Sequence, residues 1–309
     1  MWKKLGRIFD VKEHLPWSNS HAQVPTALIL EDRLRVYFST RPRASLSLTS
    51  YADYSLDNLT KPVYVHDGPI IELGRPGTFD EHGNMPSSVV QTEEGIFLYY
   101  SGWQRAVGVP YNNYTGLAIS KDGGSSFEKY SESPILDRNS KELFSATSPG
   151  VVKTEGEWYM WYCSGVNWLE IGNKMEHTYD IKFASSSDGK NWKQDSKVAI
   201  AQESVFDAIT RPSVYWNEQG RKWELWFCKR GSKDFRDGSD AYKILKAEST
   251  LNGDFKIIDI DIFTHSNTIT FDNAMQAYPE VFEIAGERYM LYNGNSFGAE
   301  GICLAKWKE

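Results

Sequence analysis

"HGNMPSSVVQTEEGIFLYYSGW", residues 82–103, contains the unit from which the chain is built. A polar approach leads to Pro86, a short apolar segment follows, and the turn "TEEG" separates it from an aromatic segment that ends at Trp103. Short apolar segments rich in aromatic and β-branched residues and bounded by turn residues are typical of β-strands. The stretch predicts two antiparallel strands, with the polar approach and Trp103 at the same end.

The same order recurs five times along the chain. The aligned prolines are Pro25, Pro86, Pro149, Pro212 and Pro279, which subtraction places 61, 63, 63 and 67 residues apart. After each proline come a turn, an aromatic strand, a loop of variable length and a third strand. Repeated units of three or four short strands indicate a β-propeller. The sequence predicts an all-β, five-bladed propeller that forms a single domain over residues 1–309.

The predicted blades have unequal numbers of strands. They lie near residues 20–66, 79–136, 143–200, 205–262 and 271–309. The last blade ends after its third strand, and residues 5–11 near the N-terminus have no blade of their own. We expect this segment to supply the missing strand and so close the last blade, because closure removes an exposed sheet edge. A frayed N-terminal tail is the alternative.

Composition narrows the classes of partner. The net charge is −7 and no basic run occurs, which argues against nucleic acid and anionic membranes as partners. The 11 Trp and 17 Tyr residues fit a β-rich fold that recognises sugars. The chain shows neither the apolar core of a signal peptide nor an apolar run of roughly 18 residues, so we expect a cytoplasmic location. The three cysteines lack metal or disulfide spacing and are interpreted as reduced thiols.

Two further motifs carry a resemblance. Phe-Asp pairs precede three of the blades, at residues 79–80, 206–207 and 271–272, and turns that begin S-x-D-G occur at residues 120–127 and 186–192, the second one residue shorter than the first. Together with the repeated proline and aromatic strand, these motifs resemble the five-bladed propellers of the arabinanase, levansucrase and invertase superfamily, which are glycoside hydrolases of the family 43 and family 32 type. The resemblance covers nearly the whole chain. It implies a substrate funnel at one end of the central axis.

The resemblance does not transfer the catalytic acids. In that superfamily an Asp often stands just before the proline of an early blade, and a Glu comes from a later one. The residues before the five prolines here are Val24, Met85, Ser148, Arg211 and Tyr278, none of which is an acid. Hydrolysis by two carboxylates requires one protonated donor and one base or nucleophile. The acids must therefore come from other positions.

Four residues are candidates for catalysis. Glu280, the residue after the last proline, is the first choice as general acid or base, because the equivalent positions in the other units hold small residues. An ion pair with Arg211 across the channel is the alternative role for Glu280. Asp80, Glu81 and His82 are the other candidates, although the regular Phe-Asp motif also predicts a structural role for Asp80.

The predicted substrate-binding residues come from the approaches to the prolines and from the ends of the aromatic strands. They are His21, Gln23, Arg41, Asn84, Trp103, Trp168, Arg211, Gln276, Tyr278 and Asn293. Such a mixture of donors, acceptors and rings suits a polyhydroxylated ligand. His21 and His82 admit a divalent cation in the channel as an alternative, but two histidines without a third fixed ligand are a weak metal signal. We expect no cofactor.

The favoured function is cleavage or transfer at a glycosidic bond of a carbohydrate bound in the funnel. The alternatives are a carbohydrate-binding propeller without catalysis, and a cytoplasmic enzyme that tailors precursors of surface polysaccharides. The oligomeric state is not addressed by the sequence.

Overall fold

A computed structural model describes residues 1–249, 254–264 and 271–308, and the regular secondary structure in this part of the chain is almost entirely β. The first half contains β1 (Trp2–Asp10), α1 (Val11–His14), β2 (Ser20–Ile29), β3 (Arg33–Arg41), β4 (Leu48–Ser55), β5 (Asn58–Val65), β6 (Gly83–Thr92), β7 (Gly95–Arg105), β8 (Tyr111–Ser120), β9 (Glu128–Lys129) and β10 (Ala146–Thr154). The second half contains β11 (Glu157–Ile171), β12 (Lys174–Ser186), β13 (Lys193–Ile200), β14 (Ala208–Asn217), β15 (Lys222–Arg230), β16 (Lys243–Ser249), β17 (Lys256–Ile258), β18 (Ala277–Ile284), β19 (Glu287–Asn293), α2 (Asn295–Gly298) and β20 (Gly301–Trp307). No helix among the described residues is long and apolar enough to cross a bilayer.

Antiparallel pairing follows the repeat. Each strand that contains an aligned proline pairs with the aromatic strand after it, which pairs in turn with a third strand. The resulting sets are β2-β3-β4-β5, β6-β7-β8-β9, β10-β11-β12-β13, β14-β15-β16-β17 and β18-β19-β20-β1. Single parallel pairs, Tyr114 with Ala146 and Tyr179 with Ala208, link three of these sets. The all-β class and the strand order around each proline are confirmed.

The N-terminal strand pairs with the last strand of the chain. Strand β1 runs antiparallel to β20, from Trp2 opposite Trp307 to Asp10 opposite Gly301. It begins earlier than the predicted residues 5–11, and burial explains the difference. The Trp2 ring is fully buried and meets Trp226 and Trp307 edge to face, with ring centroids 5.3 and 5.1 Å apart. Such burial of an aromatic side chain fixes the start of the chain in the structure.

The Phe-Asp motif has structural partners. Asp80 is fully buried, accepts a hydrogen bond from the Tyr100 hydroxyl at 3.0 Å and pairs with the Lys129 ammonium at 2.6 Å. Asp207 instead accepts a bond from the backbone N–H of Ser204 at 3.0 Å and so caps a turn. A buried carboxylate also accepts from a tyrosine twenty residues further on in two other sets, Glu142 with Tyr162 and Asp272 with Tyr292.

In each S-x-D-G turn the aspartate accepts hydrogen bonds from backbone N–H groups of the same turn. Asp122 accepts bonds from the backbone N–H groups of Ser125 and Ser126, both at 3.0 Å. Burial opposes ionisation of this carboxyl, but the hydrogen bonds from Ser120, Ser126 and the turn outweigh it and lower the pKa of Asp122 to about 2. Asp188 likewise accepts from the backbone N–H groups of Lys190 and Asn191, both at 2.8 Å, so both aspartates stabilise their own turns.

The residue before the proline has an unusual backbone in four of the five sets. The φ angles are 49° at Val24, 49° at Ser148, 58° at Arg211 and 56° at Tyr278. Each lies at a register shift in the pairing of its strand with the next one. Bulges re-aim side chains, and left-handed non-glycine residues cost about 1–3 kcal/mol each. Such strain is typical of functional sites. The beginnings of the proline-containing strands are therefore candidates for a functional site.

Candidate functional site

A cavity of about 340 Å³ lies where the five proline-containing strands begin. All five strand sets contribute to its wall. The lining residues are Gln23, Val24, Arg41, Met85, Trp103, Tyr111, Asn113, Thr147, Ser148, Glu176, Tyr179, Thr210, Arg230, Phe235, Arg236, Tyr242, Tyr278 and Phe297. Of the four left-handed residues that precede a proline, three line the cavity, namely Val24, Ser148 and Tyr278, so the bulges shape this wall. Gln23, Arg41, Trp103 and Tyr278 are the predicted binding residues that the cavity brings together.

Four polar atoms on the cavity wall are buried and have no hydrogen-bond partner among the described residues. Two are donors, Trp103 Nε1 and Arg41 Nε. Asn113 Oδ1 is an acceptor, and Thr147 Oγ1 can act in either sense. Most buried polar groups in proteins are hydrogen-bonded, and an unmatched one costs free energy. Their clustering on one wall matches a ligand that carries several hydroxyl groups.

Tyrosines form much of the wall, and three of them, Tyr111, Tyr179 and Tyr242, were not predicted from the sequence. The Tyr111 and Tyr179 hydroxyls lie 2.7 Å apart, and the Tyr242 and Tyr278 rings have centroids 5.6 Å apart. Burial raises the pKa of each of these phenols, so they are neutral near pH 7 and can donate hydrogen bonds. Their signal in the sequence is the tyrosine at the start of the third strand of a unit, as in "YDIKFASS" and "YKILKAES".

A single carboxylate, that of Glu176, stands among the described residues that line the cavity. It accepts a hydrogen bond from Arg236 Nη1 at 3.0 Å and is largely buried. Glu176 comes from β12, whereas Arg236 comes from the loop between β15 and β16. Two arginines, Arg41 and Arg230, also face the cavity. The wall is therefore richer in positive than in negative groups.

Glu280 lies two residues further along β18 than Tyr278 and is not among the residues that line the cavity. Its carboxylate lies 3.2 Å from Arg211 Nη2 and accepts a long hydrogen bond of 3.4 Å from the Ala27 N–H. Burial raises the pKa of Glu280, although Arg211 opposes that shift. Of its two predicted roles, the ion pair with Arg211 is the one seen in the structure.

Arg211 is also withdrawn from the cavity. Its side chain is fully buried, and Nη2 donates to the Pro25 carbonyl at 2.9 Å and to Thr26 Oγ1 at 3.0 Å. Together with the Glu280 pair, these contacts join β2, β14 and β18. Arg211 was predicted to contact substrate, but in the structure it lies outside the cavity lining and links three strand sets.

The other three catalytic candidates lie outside the cavity lining. Asp80 is held by Tyr100 and Lys129, as described above. Glu81 accepts a bond from the Gly77 N–H at 2.7 Å, and His82 Nδ1 lies 3.4 Å from the Glu81 carboxylate. Within the described residues, no group of three or more His, Cys, Asp or Glu side chains is arranged to hold a metal ion.

The remaining five binding candidates do not line the cavity, and two of them, Asn84 and Asn293, connect neighbouring strand sets. Asn84 Oδ1 accepts from the Thr49 N–H at 3.0 Å, and Asn293 Oδ1 accepts from the Val24 N–H at 2.9 Å. Both asparagines are fully buried. Because each bonds to a strand of a different set, their amides link neighbouring sets. Three others lie outside the cavity lining. They are Trp168, which stacks on His177 with centroids 4.0 Å apart, Gln276, which donates to the Asp272 carbonyl, and His21, which contacts Ser20 Oγ at 2.7 Å.

His21 is neutral near pH 7. Burial, and to a lesser extent the nearby Arg41, lowers the pKa of His21 to about 4. It adds no positive charge beside Arg41.

Asp180, next to the cavity residue Tyr179, gives a prediction about pH. Burial raises the pKa of Asp180 to about 6, with Lys182 opposing the shift. Because the folded state favours the protonated carboxyl, this group costs stability as pH rises from about 4 through 6. We expect Asp180→Asn to raise the free energy of unfolding by about 1–3 kcal/mol at pH 7.5 and by far less at pH 4. Urea unfolding at both pH values measures this.

The control is Asp195→Asn, at a carboxylate that is 48% exposed, which should change stability little at either pH. A gain at Asp180 that is the same at pH 4 and 7.5, or a loss at pH 7.5, would contradict the assignment.

Comparison with known sequences identifies the family. Residues 66–280 match the family described as Glycosyl hydrolases family 32 N-terminal domain. Two uncharacterized proteins of Mycobacterium tuberculosis, MT1551 of strain CDC 1551 and Rv1502 of strain H37Rv, are each 34% identical over 306 residues. The alignments cover 98% of this chain and 98% of each relative, so the likeness extends over the whole length.

Solved structures share the fold. A structure described as a glycoside hydrolase has a TM-score of 0.75 at 17% identity, covering 100% of this chain and 93% of that one. The Podospora anserina alpha-L-arabinofuranosidase PaAbf62A in complex with cellotriose gives 0.67 at 12% identity, covering 100% and 96%. A mutant of the Bombyx mori GH32 beta-fructofuranosidase in complex with sucrose gives 0.62 at 16% identity, covering 96% and 64%. The fold is that of the propeller glycoside hydrolases, and with more than half of its length matched, this protein belongs to the glycosyl hydrolase family 32 N-terminal domain family.

Proposed function

We propose that the protein binds a carbohydrate in the cavity at the starts of the proline-containing strands. The observation that carries this proposal is the set of unpartnered polar atoms on Trp103, Arg41, Asn113 and Thr147, beside neutral tyrosines. A ring of hydroxyl groups offers both the acceptors and the donors that these atoms need. A sugar site with aromatic walls and a few convergent polar groups has this composition. Side chains alone supply these groups, and the proposal includes no cofactor.

Binding without hydrolysis is the function that the geometry supports best. Glycosidases of the usual type place two carboxylates beside the bond, about 5–10 Å apart. The described lining of this cavity offers Glu176 alone, and Arg236 holds it. Glu280, the first choice from the sequence, is committed to Arg211.

Cleavage of a glycosidic bond is the second candidate. Family membership favours it, and so does the position of the Glu176 carboxylate on the cavity wall. In this case Glu176 acts as the proton donor or base, and the second carboxylate role falls to another group or to a co-substrate such as phosphate.

The two candidates differ in the effect of Glu176→Gln. If the protein only binds, we expect no product from a glycan panel over several days by mass spectrometry, with or without phosphate, and affinity in the variant lowered by less than about tenfold. If it cleaves, the wild type releases product, and the variant loses about 10²–10⁴-fold in kcat. Glu132→Gln, at an exposed residue, is the matched control. Failure of every glycan in the panel to bind would overturn both candidates.

We also propose that the strand sets are the five blades of the propeller, with boundaries near those predicted, and that β1 closes the last blade. The antiparallel pairing of β1 with β20 supports closure, since it gives the last set a fourth strand. Contacts of Arg211 with both the first and the last set support a ring around a common axis.

A further inference from the structure

The cavity has an excess of positive charge in a protein whose net charge is −7. Three guanidinium groups line it, from Arg41, Arg230 and Arg236, against the single carboxylate of Glu176. Glu176 pairs with Arg236, so two guanidinium groups have no acidic partner among the described residues. Since the protein as a whole is acidic, this local excess is a property of the cavity.

Neutral groups hold both unpaired arginines in place. Arg41 Nη2 donates to Gln23 Oε1 at 2.8 Å, while Arg41 Nε is buried and has no partner within the described residues. Arg230 donates to the carbonyls of Gly231 at 2.7 Å and His177 at 3.0 Å. A buried charge surrounded by neutral groups is costly unless an opposite charge joins it.

Aromatic packing fixes the orientation of Arg230. Its guanidinium lies 3.8 Å from the centroid of the Phe235 ring, and the residue is 5% exposed. A guanidinium stacked in this way keeps its planar fork of donors pre-oriented, so little entropy is lost when an oxyanion binds.

Tyr278 lines the same cavity as the two arginines. Burial raises the pKa of its phenol, and the charges of Arg230 and Arg41 oppose that rise. The neutral hydroxyl adds a hydrogen-bond donor to a wall that carries both positive charges. The three side chains come from the first, fourth and fifth strand sets and line one cavity.

We propose that the carbohydrate bound in the cavity carries an anionic group, a carboxylate or a phosphate, which lies between Arg41 and Arg230 and accepts from Tyr278. This inference rests on the proposed function and names the class of its ligand, an acidic sugar. Carboxylate and phosphate share the required chemistry, because both accept paired hydrogen bonds from a guanidinium group. Uronic acids and sugar phosphates are the two sources that an experiment must separate.

The test uses matched sets of monosaccharides in calorimetric titrations with the full-length protein. Each set contains a neutral hexose as its methyl glycoside, the corresponding uronate and the corresponding hexose phosphate, for glucose, galactose and mannose. We expect the uronate or the phosphate of at least one set to bind at least about tenfold more tightly than its neutral member. Whichever of the two binds more tightly identifies the source of the charge.

Two substitutions of Arg41 test whether the anionic group of the ligand binds at this residue. Arg41→Gln is expected to remove most of the preference for the acidic member, and Arg41→Lys to restore part of it, because lysine keeps the charge but loses the fork. Arg75→Gln, at an arginine that is 71% exposed, should leave the preference unchanged. Circular dichroism confirms folding, and the preference in the wild-type protein is itself decisive if a variant fails to fold.

Neutral members that bind as tightly as the acidic members would overturn this inference and leave the proposed function standing. An acidic preference that survives in folded Arg41→Gln would also overturn it. Failure of all members of all sets to bind would count against both proposals.

Discussion

Replacing Arg211 with methionine is expected to lower the free energy of unfolding by about 3–5 kcal/mol at pH 8. Arg211 is fully buried, lies 3.2 Å from the Glu280 carboxylate and donates to the Pro25 carbonyl and to Thr26 Oγ1. The substitution keeps most of the volume but leaves Glu280, whose side chain is 15% exposed, as a largely buried charge without its partner. Three strand sets lose their shared contact at once. Urea unfolding followed by tryptophan fluorescence measures the change.

The loss should depend on pH in a defined sense. Burial already raises the pKa of Glu280, and removal of Arg211 takes away the charge that opposes this shift. The folded variant therefore favours protonated Glu280, and its penalty is largest at high pH and shrinks as pH falls toward the normal range of a glutamate. We expect a smaller loss at pH 5 than at pH 8.

The matched control is a surface ion pair, Lys306 with Glu287, whose side chains are 36% and 54% exposed. Glu287→Gln should cost less than about 1 kcal/mol. If Arg211→Met costs no more than this control at pH 8, the ion pair is not a structural link and the interpretation of Glu280 as a structural residue is wrong.

Trp103→Ala is expected to weaken carbohydrate binding by about 10–100-fold. Trp103 lies near the end of β7, lines the cavity and meets the Tyr111 ring edge to face with centroids 6.1 Å apart. Its indole Nε1 is buried and has no partner among the described residues, so a sugar hydroxyl is the natural acceptor. The alanine variant loses both the ring surface and this donor.

Trp103→Phe separates these two contributions. It keeps an aromatic ring and removes the N–H donor, so we expect a loss of roughly 3–10-fold, between wild type and alanine. Trp216→Phe, at a tryptophan outside the cavity lining, is the control and should leave affinity unchanged. An affinity of Trp103→Ala within about twofold of wild type, in a folded protein, would show that the sugar binds elsewhere.

The repeat made much of the fold predictable. Five aligned prolines, each followed by an aromatic strand, were enough to predict the all-β class, the order of strands around each proline and the pairing of an N-terminal segment with the last strand. These features depend on short-range patterns of apolar and turn residues, which a single sequence displays. The start of the N-terminal strand was missed because burial of Trp2 depends on two distant tryptophans.

The site was predicted less well, and the bulges explain much of this. Simple alternation along a strand would put Glu280 on the same side as Tyr278. The left-handed backbone at Tyr278 and the register shift between Ala277 and Glu280 break that alternation. Tyr278 therefore lines the cavity, whereas Glu280 turns to Arg211. No local pattern in the sequence signals a bulge at a non-glycine residue.

Long loops supplied other parts of the wall. Phe235 and Arg236 lie between β15 and β16, where the sequence has no periodicity that would fix their direction. Asn84 and Asn293 were predicted to bind substrate, but their amides link neighbouring strand sets. Whether a polar rim residue faces a ligand or a neighbouring backbone depends on tertiary contacts.

The most direct test of the central claim is a crystal structure of the protein with the glycan that binds most tightly in the panel. We predict one sugar ring in the cavity, with hydroxyl groups within hydrogen-bond distance of Trp103 Nε1 and Thr147 Oγ1. A glycan bound only outside the cavity, with these two atoms still unmatched, would contradict the account.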